Sequence, residues 1–227
     1  MNPTSSPTDS GVVSYSLSEI QAQCRKAARG VGLAWGLAEE AGKAARWLTS
    51  FELPGPRVLA KLLMLNDGKA YETLRPTSID GIWKASAGEL CPLIAGVMLS
   101  DIAADIAAGH RVEMAAVAFP ILLIPFLGQT AEQLGIALEV SWSDVRVVCL
   151  PGGISISGNV SALEANDARR LVCAGGALVD ATHRPSAKSR VVDASTWAAL
   201  EHFAHRTYVP ATEASRSGAG STLTDNQ

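Results

Sequence analysis

The stretch from Met114 to Leu127 constrains this chain most, because it holds only Ala, Val, Phe, Ile, Leu, Met and Pro and so has to be buried somewhere. A membrane-spanning helix needs about 20 apolar residues. This stretch is shorter, Pro120 and Pro125 interrupt it, and His110, Arg111, Glu113 and Gln129 flank it. It therefore reads as protein core, a buried strand passing into a helix.

The remaining composition agrees with a globular chain that folds without a partner. Of its 227 residues 48% are apolar and 18% charged, far from the disordered classes. The net charge of -3 is spread over 19 basic and 22 acidic residues without a long run of either sign. That distribution offers no footprint for nucleic acid or for an anionic membrane surface, so small molecules or other proteins are the expected partners. Cys24, Cys91, Cys149 and Cys173 lie far apart among apolar neighbours and make no CxxC pair, which predicts buried, reduced thiols. A cytoplasmic location is expected, since the N-terminus is rich in Ser, Thr and Pro and lacks the pattern of an export signal. Composition divides the chain into a flexible arm over 1–13, one domain over 14–210, and a loop or tail over 211–227 that can fold back.

Helical signals fill the first third. Ser16 and Glu19 have capping-box spacing, Leu17, Ile20, Cys24 and Ala27 form a stripe, and Gly30 supplies a left-handed stop. A second helix is expected from about Leu33 to Ser50, with Glu39 and Lys43 as an i,i+4 pair. Pro56 opens a third helix, which Asn66-Asp67-Gly68 closes. From Lys69 to Glu89 the pattern is irregular around Trp83, and a helix from Pro92 runs toward Gly109. Thereafter the period changes to strands: Val112 to Phe119, Ala137 to Trp142, Val145 to Leu150, Ile154 to Ser157, Arg170 to Cys173 and Arg190 to Val192, with helix between Gly128 and Leu134. Ser195 caps a last helix through Trp197, Leu200 and Phe203. The fold class expected is α+β, a helical N-terminal third packed on a mostly antiparallel sheet.

Four places can carry chemistry. Arg29 to Gly36 is a glycine-rich turn leading into a helix, but a helix precedes it, so neither a dinucleotide fingerprint nor a P-loop fits; the plainer reading is a corner in which Gly30 caps and Gly32 and Gly36 allow close packing under Trp35. Glu39 and Glu40 point about 100° apart and cannot form a carboxylate dyad, and Glu40 is the freer of the two. Asp101 and Asp105 share a helical face with His110 beyond it, and His202 and His205 share another; both sets read better as solvated surface than as a metal site. The segment from His205 to Gly220 gathers arginines, a tyrosine, hydroxyls and glycines, with arginine forks suited to carboxylate or phosphate.

The residues from Ala27 to Ala41 and from Arg206 to Gly220 resemble an uncharacterised bacterial family, one of the domains of unknown function of about this length, and the resemblance spans nearly the whole chain. It implies no reaction. It does imply that the C-terminal segment is family sequence and not linker, which selects Arg29, Trp35, Arg206 and Arg216 as substrate-binding residues and Glu40 and Tyr208 as proton-transfer residues; no residue is selected as a metal ligand. The final residues Thr222 to Gln227 depart from the family where an acidic terminus is expected.

The function expected is a small-metabolite enzyme, a lyase, isomerase or hydrolase, that binds an anionic substrate where the glycine corner and the C-terminal arginines meet. The alternative is a non-catalytic accessory subunit or homo-oligomeric binding module of a metabolic enzyme. The sequence specifies no cofactor.

Overall fold

The structure, a computed structural model, describes residues 13–86 and 88–207. The first strand, β1 (Val13–Tyr15), leads into α1 (Leu17–Gly30) through the capping box: Glu19 N–H donates to the Ser16 hydroxyl at 3.2 Å, and Ser16 N–H donates to the Glu19 carboxylate at 2.8 Å. Two orphan donors are thereby satisfied. Helix α2 (Trp35–Ser50) returns against α1, and α3 (Gly55–Asn66) follows after a tight turn. The corner between α1 and α2 works differently from the sequence reading. Gly30 is still helical, and the left-handed residue is Gly32, with φ of 98°. Among the described residues no atom lies close to where a side chain on Gly32 or Gly36 would stand, whereas a Cβ on Gly30 would run into the Phe203 carbonyl. Close packing is therefore the job of Gly30, and the turn is made by Gly32. The expected Glu39–Lys43 pair is also replaced: Glu39 takes Arg25 of α1 at 2.8 Å, and Lys43 takes Glu40 at 2.8 Å. The interhelical partner wins because α1 brings a guanidinium to the face that Glu39 occupies.

After α4 (Tyr71–Leu74) and β2 (Ile82–Trp83), the helix expected from Pro92 breaks in two, α5 (Pro92–Asp101) and α6 (Ala103–Ala107). The apolar run becomes β3 (Val112–Ala118), a 3-10 turn (Pro120–Leu123) and α7 (Ile124–Leu134), which starts four residues before the expected Gly128. Ile121, Leu122, Leu123 and Ile124 are fully buried there, each contributing roughly 1.5–3 kcal/mol by removal from water. Strands β4 (Leu138–Trp142), β5 (Val145–Leu150) and β6 (Gly153–Gly158) form the expected antiparallel meander, with Ser143 and Asp144 both at positive φ in the tight turn. Strand β7 (Asp167–Gly175) inserts between β3 and β4, β8 (Arg190–Val192) pairs with β1, and α8 (Ala194–His205) closes the described chain. The cap of α8 is Asp193, not Ser195: its carboxylate accepts the Thr196 N–H at 2.8 Å and the Ser195 hydroxyl at 2.6 Å. Asp193 stands one residue before the first helical turn with extended backbone, whereas Ser195 is already helical.

The class is α+β. The larger sheet runs β2-β3-β7-β4-β5-β6, with only β2 and β3 parallel. Its inner face, formed by Met114, Leu171, Val140 and Val147 among others, packs on α7 and α6. Helices α1 to α3 stack outside that layer through α5, α7 and the 3-10 turn. Its outer face carries ion pairs of Glu113 with Arg170 and of Glu139 with Arg146. The four cysteines are buried and unpaired. Among the described helices none is long and apolar enough to cross a membrane. The expected arm, apart from Val13, and the tail over 211–227 lie outside the described residues.

Candidate functional site

A cleft of about 600 Å3 opens where the end of α2, the start of α3 and β8 converge. Helix α2 ends in a Schellman motif: Leu53 N–H donates to the Leu48 carbonyl at 2.9 Å and Glu52 N–H to the Thr49 carbonyl at 3.1 Å. The residue just past the helix in such a motif is left-handed, and glycine is preferred there because it has no Cβ. Here it is Glu52, with φ of 64°. A side chain at that position costs about 1 kcal/mol relative to glycine, so the carboxylate is present despite the backbone.

That carboxylate reaches β8. Glu52 Oε1 accepts from Arg190 Nη2 at 3.1 Å. Arg190 Nη1 donates to the carbonyls of Lys188 and Ser189 at 3.1 and 3.2 Å, which fixes the guanidinium plane. Its Nε is buried and has no hydrogen-bond partner among the described residues. The Arg190 side chain is only 16% exposed while that of Glu52 is 77% exposed, so the cation is held by the fold and its counter-ion is loose. An orphaned donor on a shielded cation costs about 1–3 kcal/mol. An oxyanion bridging Nε and Nη2 would satisfy both donors at once, the bidentate geometry to which a guanidinium is suited.

Arg57, in the first turn of α3, lines the same cleft and pairs with Glu164 at 3.2 Å. Gly55 makes this placement available. A Cβ there would come within 2.9 Å of Thr49 Oγ1 and collide with the Ala45 carbonyl, so only glycine lets α3 start hard against α2. Asp193 also lines the cleft, but its charge is committed to the α8 cap, and the Ser195 and Thr196 hydrogen bonds pull its pKa down to about 2.

The residues selected from sequence are distributed elsewhere. The Arg29 guanidinium lies 4.6 Å over the Trp35 ring and donates to the Leu33 carbonyl, while Trp35 itself is 67% exposed. Glu40 faces a separate groove beside Asp101 and Gln129 and is held by Lys43. Arg206 grips Asp67 in a two-point ion pair at 2.8 and 3.0 Å, and that contact lowers the Asp67 pKa. The corner and the end of α8 do meet, at Gly30 and Phe203, but Arg29 and Arg206 are each engaged by their own neighbours there. Tyr208 and Arg216 lie outside the described residues. Asp101, Asp105 and His110 border a cleft with Trp83. Among the described residues no group of three or more His, Cys, Asp or Glu is placed to hold a metal ion. Sequence reasoning missed Arg190 and Glu52, which are 138 residues apart. The available signal was a glutamate in the slot after α2 where glycine is the usual residue.

Residues 15–91 match the model of a family described as a protein of unknown function, DUF3726. That match covers about a third of the chain, including the corner segment, Glu52 and Arg57, and ends before Arg190 and Arg206. No curated protein matches the chain. Among solved structures, malate dehydrogenase from Entamoeba histolytica is similar at 10% identity with a TM-score of 0.46, over 65% of this chain. The chain spans 50% of the length of that enzyme.

Proposed function

We propose that this chain binds a small organic anion in the cleft of Arg190 and acts on it as a metabolite enzyme of the cytoplasm. The observation that carries the reading is the buried Nε of Arg190, which has no hydrogen-bond partner among the described residues, on a guanidinium edge whose Nη2 is taken by an exposed glutamate. Anion binding at Arg206 would first have to displace Asp67 from both guanidinium nitrogens, so Arg190 is the better anchor. Glu52 and Glu164 close off the two arginines of the cleft in this reading, whereas Glu40 faces a separate groove. The four unpaired thiols support a reducing compartment.

The test is thermal unfolding of the purified full chain with acetate, butyrate, succinate and inorganic phosphate. A ligand at 100 times its dissociation constant adds about 2.7 kcal/mol. Stabilisation by one of these anions that is lost in Arg190→Lys, which keeps the charge but not the fork, supports the reading. Equal stabilisation of the Arg190→Lys protein refutes it.

A second reading rests on Trp35, whose exposure beside Arg29 suits an interface anchor. In that reading the chain is a homo-oligomeric binding module, and Trp35→Ala yields monomers in light scattering. A wild-type chain already monomeric at high concentration rules it out.

A further inference from the structure

We infer that the ligand of the Arg190 cleft is a short aliphatic dianion, with one oxyanion group for Arg190 and one for Arg57; this rests on the anion-binding reading above. Both arginines line one cleft, and each is paired through a single carboxylate oxygen with a glutamate more exposed than itself. Glu52 is 77% exposed and Glu164 65%, against 16% and 44% for their arginines. Both glutamates already stand largely in water, and Arg190, itself shielded, keeps its bonds to the Lys188 and Ser189 carbonyls when Glu52 turns away, so both carboxylates can swing out and leave a guanidinium edge to a ligand. When they do, the cleft presents two positive charges. The remaining carboxylate, Asp193, keeps its negative charge, but Ser195 and Thr196 hold it at the α8 cap, so it is not free to take the place of either glutamate.

Leu53, Pro54 and Val192 line the same cleft as the two arginines and give it an apolar wall that suits methylene groups. The Thr49 hydroxyl is already used by the Ala45 carbonyl at 2.7 Å and offers the ligand no donor. A chain with two acid ends and an apolar middle therefore fits, and a volume of about 600 Å3 keeps it small. Two carboxylates, or one carboxylate and one phosphoryl group, would satisfy the same two guanidinium groups.

Titration calorimetry on the full chain with butyrate, glutarate and 3-phosphonopropionate tests this. Glutarate or 3-phosphonopropionate is expected to bind at least ten times more tightly than butyrate, and the tighter of the two identifies the second head group. In Arg57→Gln that advantage should disappear. Because Arg190 is largely buried and its replacement endangers the strand, Glu52→Gln is the companion variant, expected to tighten all three probes severalfold. If butyrate binds as well as the dianions, or Arg57→Gln weakens all probes alike, the ligand has one head group and the inference falls while the anion site stands. If no probe binds either the wild-type or the Glu52→Gln protein, the anion site itself is refuted.

Discussion

Glu52 holds Arg190 across 138 residues at 3.1 Å, and it does so from a left-handed backbone position that a glycine would occupy more comfortably. The pair is open to water on the Glu52 side, and Arg190 keeps its bonds to the Lys188 and Ser189 carbonyls when the carboxylate is removed. Glu52→Gly should therefore stabilise the protein by about 0.5–1 kcal/mol, the relief expected at a left-handed helix terminus. It should also loosen the guard on Arg190 and tighten anion binding. Urea denaturation read alongside calorimetry checks both. A variant less stable than wild type would show that the ion pair contributes more than the backbone strain costs.

Gly30 sits where α1 crosses α8, and a Cβ there would lie 2.6 Å from the Phe203 carbonyl carbon and closer still to its oxygen. The obstacle is backbone, so the helices have to separate. Gly30→Ala should cost on the order of 3 kcal/mol, the upper range for overpacking. Gly36→Ala meets open space and lies within a helix, so it should be neutral or stabilising by up to about 1 kcal/mol. Urea unfolding of the pair separates tight packing at Gly30 from a general dislike of side chains in the corner.

These two sites show which parts of the chain were readable. Where a single local interaction decides, the residues announce it: Ser16 and Glu19 cap α1 as their spacing requires, and Ser143-Asp144 turns the meander. The α+β class followed from the same periodicities. Where a distant partner decides, pattern fails. Gly30 has the composition of a helix stop, yet Phe203 makes it a packing residue and leaves the turn to Gly32. Glu39 is spaced for Lys43, yet Arg25 arrives from α1. Ser195 is a good cap by type, but Asp193 already stands one turn ahead of Thr196. The cleft belongs to this second kind. Its residues come from α2, α3 and β8, and no local pattern brings Arg57 and Arg190 together.

The cysteines give a negative expectation for chemistry. All four are buried; burial pushes the Cys149 thiol up to about 12 and raises Cys24, Cys91 and Cys173 as well. Thiolate is the reactive form, so the folded chain should react with a thiol-specific disulfide reagent only as fast as it opens. All four thiols should titrate promptly in guanidinium chloride. One fast-reacting thiol in the native protein would identify a nucleophile that this arrangement does not predict.

Asp193 ties acid sensitivity to α8, the helix that follows the strand of Arg190. Its hydrogen bonds to the Ser195 hydroxyl and the Thr196 amide hold its pKa at about 2, below the unfolded value of 3.8. A carboxyl group depressed in the folded state contributes stability that is complete above the unfolded pKa and is lost as pH falls through the folded one. The contribution should thus be constant above about pH 5 and decline between pH 4 and pH 2. Asp193→Asn keeps an acceptor for the α8 amide without the charge, and Asp193→Ala removes both, at a cost of about 1 kcal/mol at neutral pH. Measured by urea unfolding from pH 6 to pH 3, the gap between wild type and Asp193→Asn should narrow as the pH drops. A gap that stays constant across that range would mean that Asp193 is not ionised in its capping role, and the stability of α8 would have to be credited to its packing on α1 and α3 alone.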